Sequence, residues 1–225
     1  MAFELLSQDA AAKRSLADVA YDRIRDRLLT LDIKPGALIN DDDLAKDLGI
    51  GRTPVREALK RLELDRLVVS YPRRGTFATL VEVTDLALIS EIRLQLEPLA
   101  ASRAARVATE PVREQLRGVV RAVEAFDMGA ASVVEILRLD ARVHQGIYAA
   151  AANPHLEDIL IRYDNLATRI WCLVLDRLPD LTCHVHEHVD LLRAVIDGDE
   201  AKAAELARIH VSGFEHAVRE ALFAA

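Results

Sequence analysis

The chain has 225 residues, of which 51% are hydrophobic and 29% charged, with a formal net charge of -7. That mix excludes a disordered or fibrous chain and predicts one large or two modest domains with a buried core. No apolar run approaches the roughly 20 residues that cross a bilayer. The start MAFELLSQDA lacks both a basic segment and an apolar signal core, so a cytoplasmic protein with no membrane partner is expected.

Net acidity argues against a whole-surface affinity for nucleic acid, but the charge is unevenly spread. Residues 1 to 80 carry 14 Lys+Arg against 13 Asp+Glu, and within Arg52 to Arg74 the count is seven basic to three acidic. Such a stretch is a local footprint for phosphate.

Residues 1–14 read as an N-terminal tail. Ser15 followed three residues later by Asp18 resembles a capping box, and Leu16, Ala20, Ile24, Leu28 and Leu31 repeat at helical spacing as far as the Pro35-Gly36 turn. Asp41, Asp42 and Asp43 put negative charge at the start of a second helix that ends near Leu48. Gly49-Ile50-Gly51 is a tight connection, after which Thr53 and Pro54 suit the cap and first position of a third helix. Two short helices around a glycine turn make a helix-turn-helix. In the third helix Val55, Ala58, Leu59 and Leu62 form an inward stripe, and Arg52, Arg56 and Lys60 fall along another side at four-residue spacing. The β-prone runs LVVSY and TFATLV, separated by Pro72-Arg73-Arg74-Gly75, predict a hairpin wing with a basic tip. Residues 15–81 are thus expected to form a winged helix-turn-helix domain.

From Thr84 onward the strand signals vanish. Helical periodicities follow, with breaks near Thr109 to Pro111, Met128 to Ala131, Asn153-Pro154, Pro179 and Asp197-Gly198-Asp199. The expected fold is therefore mainly α, with residues 82–225 as an all-helical bundle of about six helices. Cys172 and Cys183 fit neither a C-x-x-C motif nor a disulfide framework and read as reduced, buried thiols.

Asp140 and His144 are four apart, so one helix face presents both one turn apart. Taken alone the pair is a weak signal, and such a spacing arises more often by surface chance than as a metal site. Four later histidines, His184, His186, His188 and His210, in a chain with only seven, strengthen it. Imidazole and carboxylate together suit zinc, nickel, manganese or iron.

GIGRTPVREALKRLELDRLVV followed by PRRGTF resembles the winged-helix signature of the GntR family of bacterial regulators. EIRLQLEPLAASRAA, DARVHQGIYAAAANPHL and EHVDLLRAVIDGDEAKAAELARIH resemble the ligand-binding FCD domain of its FadR-type members in the six-helix, VanR-like form. The resemblance implies a homodimer on palindromic double-stranded operator DNA, with Arg52, Thr53 and Arg56 on the operator and Gly75 approaching the minor groove. Lys60, Arg73 and Arg74 join them as candidate DNA contacts by their place on the basic stripe and wing tip. Gly51 stands where a serine is frequent, and Asp42 where some relatives place a DNA-contacting arginine.

The same resemblance selects Asp140, His144, His188 and His210 as ligands of a divalent ion, with His184 competing because it lies four residues from His188 on the same face. One carboxylate and three neutral imidazoles around such an ion leave about one positive charge, and six-coordinate geometry leaves open positions for an anion. Arg93, in the E-I-R-x-x-L-E stretch, could clamp a carboxylate there, or else pair with Glu97 on the helix surface. These features imply a repressor released by a small organic acid. A direct metal sensor, or an ion that merely holds helices together, is the competing expectation. A metal-dependent hydrolase is poorly supported, because there is no H-E-x-x-H and no nearby Glu placed as a base.

Overall fold

The computed structural model describes residues 14–127, 129–175 and 181–223, and for residues 181–186 and 223 the backbone alone. The chain divides into two compact units, Met1–Val81 and Glu82–Ala225.

In the first unit α1 (Leu16–Leu29) opens on a complete capping box between Ser15 and Asp18. Its buried face is Ala20, Ile24, Leu28 and Leu29. Two members of the expected stripe fall off it. Leu16 sits in the first turn and is 60% exposed, and Leu31 lies beyond the helix with a left-handed φ of 59°. Helix α2 (Asp41–Leu48) is capped by Asn40, whose side chain accepts from the backbone N–H groups of Asp42 and Asp43. It ends at Gly49, whose φ of 63° reverses the chain without a Cβ clash.

Helix α3 (Arg52–Leu64) starts two residues earlier than expected, with Gly51 rather than Thr53 at the cap. Thr53 and Pro54 fall inside the first turn, where the N–H that proline lacks has no helical partner to lose. Val55, Ala58, Leu59 and Leu62 are buried against α1, and Arg52, Arg56 and Lys60 face out.

The wing is β2 (Val68–Tyr71) paired antiparallel with β3 (Gly75–Ala78) from Val68↔Ala78 to Tyr71↔Gly75. Both strands are shorter than the β-prone runs. A two-residue strand, β1 (Leu38–Ile39), adds to the outer side of β3 to give the order β1-β3-β2, which the sequence did not announce. Gly75 has a φ of 100°, and a Cβ there would lie 2.9 Å from Leu38 Cδ1, so the hairpin needs glycine at this point.

The second unit holds six helices among the described residues: α4 (Asp85–Val107), α5 (Glu110–Glu124), α6 (Val133–Ala150), α7 (Pro154–Cys172), α8 (Leu181–Asp197) and α9 (Glu200–Phe223). Helix α4 is central, running along α9 and touching α6, α7 and α8. Its buried face carries small residues, Ala100, Ala101, Ala104 and Ala105, that let neighbours approach closely, and one turn of that face carries Arg93 and Glu97 instead. Asn153 caps α7, and Gly198, with φ 81°, breaks the chain between α8 and α9. Arg113 of α5 donates to the backbone oxygens of Ala105, Ala108, Val195 and Ile196, tying the ends of α4 and α8 together. The expected break at Met128 to Ala131 falls between α5 and α6, with Met128 itself outside the described residues, as is Pro179.

Candidate functional site

The first unit offers one basic face. Arg52, Thr53, Arg56 and Lys60 are exposed on α3, and Arg73, Arg74 and Gly75 are exposed at the wing turn. The burial of Val55, Ala58, Leu59 and Leu62 fixes which side of α3 faces out. The two leading arginines do not project bare. Arg52 Nε lies 2.6 Å from Asp42 Oδ1, and Arg56 Nε donates to Asp41 Oδ2 at 2.6 Å.

The second unit brings Asp140 and His144 of α6, His188 of α8 and His210 of α9 into one cluster, each almost wholly buried. His188 Nε2 lies 3.3 Å from His144 Nε2, 3.2 Å from His210 Nε2 and 3.7 Å from Asp140 Oδ1. An imidazole nitrogen either donates one hydrogen bond or accepts one, so His188 Nε2 cannot satisfy both histidine neighbours. A cation satisfies all three lone pairs together. Nitrogens that share an ion at about 2.1 Å stand ~3.0–3.4 Å apart, which these spacings match. The donor set therefore fits a first-row divalent ion. His184 and His186 have side chains outside those described.

Carboxylates hold the rings from behind. His144 Nδ1 lies 3.1 Å from Tyr148 Oη and 3.5 Å from Glu97 Oε2, and His210 Nδ1 lies 3.4 Å from Glu187 Oε2. Such contacts keep the proton on Nδ1 and leave Nε2 as the donor to a metal. Asp164 of α7 comes close enough to Asp140 and His144 to form a second candidate triad with them. Sequence reasoning missed Asp164, Tyr148 and Glu187. Asp164 had a partial signal: it falls in register with Leu156, Leu160 and Trp171 on the buried face, although Asn165, Thr168 and Arg169 make that face polar around it.

Arg93 is buried, and its guanidinium bonds Glu97 at 2.5 Å and Asp164 at 3.4 Å. It also stands over the Phe214 ring, 5.5 Å from its centroid. The pairing with Glu97 is present, but in the interior rather than on the helix surface. Burial alone would lower the pKa of His144, yet Asp164, Glu97 and Asp140 outweigh it and hold the imidazole up to about 9. Burial, with Asp164 and Glu97, pushes Asp140 up to about 6 against the pull of His144 and Arg93. Glu97 resists its own burial, since Arg93 and His144 hold it down to about 2. The raised values of His144 and Asp140 describe an interior with surplus negative charge, whereas that of Glu97 reports its place beside the two cations. Cys172 is half-buried rather than buried, and desolvation raises its thiol to about 12, so it is inert.

A helix-turn-helix with a small wing, joined to a helical bundle with a buried histidine and carboxylate cluster, defines a DNA-binding transcription regulator rather than an enzyme. Residues 16–78 match "Bacterial regulatory proteins, gntR family" and residues 88–213 match the FCD domain. The chain belongs to the GntR family, in the branch that carries an FCD domain. It is 29% identical over 199 residues to the "Uncharacterized HTH-type transcriptional regulator YdhC" of Bacillus subtilis, covering 87% of this chain and 86% of that one. It is 32% identical over 180 residues to the "Nta operon transcriptional regulator" of Aminobacter aminovorans, covering 78% and 82%. Among solved structures it shares the fold of E. coli McbR/YncC, with a TM-score of 0.75 and 22% identity over 92% of this chain and 98% of that one. No described helix is long and apolar enough to cross a membrane.

Proposed function

We propose that the chain is a homodimeric repressor that grips a palindromic operator through Arg52, Thr53, Arg56 and Lys60 in the major groove and Arg73, Arg74 and Gly75 at the wing. It is released by a small organic acid bound beside a divalent ion on Asp140, His144, His188 and His210. The observation that carries the effector half is the convergence of three imidazole nitrogens and a carboxylate in an interior with surplus negative charge. The ion supplies positive charge and coordination positions for a carboxylate. Arg93, although held by Glu97 and Asp164, has five N–H donors and keeps some for an incoming acid. Binding would shift the population of dimer geometries that fit two half-sites.

One observation favours direct metal sensing as a second reading. The buried cluster sets three carboxylates, Glu97, Asp140 and Asp164, against the single guanidinium of Arg93, leaving two negative charges that one divalent ion balances. A further anion is not required by charge.

Native mass spectrometry with elemental analysis tests the proposal. A dimer with one zinc, nickel, manganese or iron ion per chain is expected, and His188→Ala should lose the ion while keeping operator binding. Titrating a panel of small mono- and dicarboxylates into the metal-loaded protein on operator DNA separates the readings. Release by an acid supports the repressor with an organic effector, and release or capture by the ion alone supports the sensor. A metal-free protein that binds no ion at micromolar concentration would sink both.

A further inference from the structure

The arginines of the recognition helix α3 are already engaged by carboxylates of α2. Arg52 meets Asp42 at 2.6 Å and Arg56 meets Asp41 at 2.6 Å, both through Nε. All four side chains are solvent-accessible, with Arg52 and Arg56 each 57% exposed. Arg56 and Asp41 hold each other charged, the carboxyl below and the guanidinium above its ordinary range. A carboxylate matches a phosphate in sign and in the two-oxygen edge it offers a guanidinium. We propose that Asp41 and Asp42 act as built-in competitors of the DNA backbone, so that Arg52 and Arg56 gain little from phosphate alone and are committed only by the base edges of the right operator.

The exchange explains the selectivity. On a random duplex, an arginine that leaves Asp42 for a phosphate trades one anion for another, and the stranded carboxylate then faces the negative backbone. On the operator, the donors not used by Asp41 and Asp42 can make bidentate contact to guanine O6 and N7 with the Nε contact kept. The aspartates therefore subtract from non-specific affinity, which is nearly all electrostatic, more than from specific affinity. They also hold the guanidinium groups in place before DNA arrives, which lowers the ordering lost on binding.

Asp41, Asp42 and Asp43 all lie in the first turn of α2, where any acid favours the helix dipole. That supplies the control. Asp43 carries the same charge in the same turn, but its ion pair is with Lys46 at 3.9 Å, not with α3. The inference rests on the proposed operator contacts of Arg52 and Arg56, which Arg56→Ala checks separately by weakening operator binding by roughly 10- to 100-fold.

The experiment uses the full chain, an operator duplex recovered by selection from a random-sequence pool, and a scrambled duplex of equal length. Fluorescence anisotropy over a salt series should show Asp42→Asn and Asp41→Asn each raising affinity for the scrambled duplex by roughly 3- to 10-fold. Operator affinity should rise less, so the specificity ratio falls. Asp43→Asn should move the scrambled duplex less than either. Three results would overturn the proposal: equal gains on both duplexes, an effect of Asp43→Asn as large as that of Asp42→Asn, or weaker binding by both variants to both duplexes. If Arg56→Ala leaves the operator unaffected while the aspartate variants behave as stated, the contact assignment of Arg56 fails and the competition by Asp42 stands.

Discussion

Glu97 sits between a cation and a ring that the metal cluster needs. One of its oxygens takes Arg93 at 2.5 Å and the other faces His144 Nδ1 at 3.5 Å, with all three side chains buried. Removing one partner of a buried pair strands the other charge, which costs more than the pair contributes. Glu97→Ala should destabilise the ion-free protein by roughly 3–5 kcal/mol, because Arg93 is then left with Asp164 at hydrogen-bond limit and His144 loses the carboxylate that faces its Nδ1. The same change should weaken ion affinity roughly 10- to 100-fold through loss of ring orientation. Urea unfolding and metal titration read the two effects, and an unchanged midpoint would mean that Glu97 only fills space. At this scale the four-residue spacing of Asp140 and His144 was a weak signal, and it was the resemblance to the FCD domain, not residue type, that singled out His188 and His210 from the other histidines. The network behind them was less legible still: Asp164 is 71 residues from Arg93, and no local pattern joins them. The ties of Arg52 and Arg56 to Asp42 and Asp41 were hidden for the same reason, since α2 and α3 must fold before the charges meet.

Element boundaries follow from caps more than from periodicity. Asp18 closes the box that starts α1: its backbone N–H donates to Ser15 Oγ, and its carboxylate accepts from the Ser15 hydroxyl, the Ser15 N–H and Arg61. Those bonds, led by the Ser15 hydroxyl, hold its carboxyl down to about 2 from an ordinary 3.8. A depressed folded value means that the contribution is present above the ordinary value and lost as pH falls through the folded one. The melting temperature of the wild type should therefore exceed that of Asp18→Asn at pH 6, and the gap should close between about pH 4 and pH 2. A gap that persists at pH 2 would assign the effect to packing instead of charge. The α1 box was readable as S-x-x-D, and the α3 stripe as a 3.6-residue repeat. The strand β1 was not, because two residues after a Pro-Gly turn carry no period and Leu38–Ile39 becomes a strand only by pairing with β3. The start of α3 was misplaced by the preference of threonine for caps, when Gly51 could adopt the extended cap conformation one residue before Arg52.

The two compact units draw stability from different sources, and an ion should reveal this. Met1–Val81 is held by an apolar core of Ala20, Ile24, Leu28, Val55, Ala58 and Leu62, and its described ion pairs are exposed or, as with Arg25 and Asp26, part-buried at the edge of that core. Glu82–Ala225 buries Arg93, Glu97, Asp140, His144, Asp164, His188 and His210 together, so its folded state carries like charges at close range. A divalent ion that binds only the folded cluster stabilises it by mass action, about 2.7 kcal/mol at a hundredfold excess over Kd. Calorimetry of the full chain with zinc, nickel, manganese or iron should therefore raise the unfolding of the helical unit by several degrees and leave that of the winged unit in place. His188→Ala should abolish the rise. If the ion instead shifts both transitions equally, and does so in His188→Ala as well, then it acts on the surface and the buried histidines have some other use.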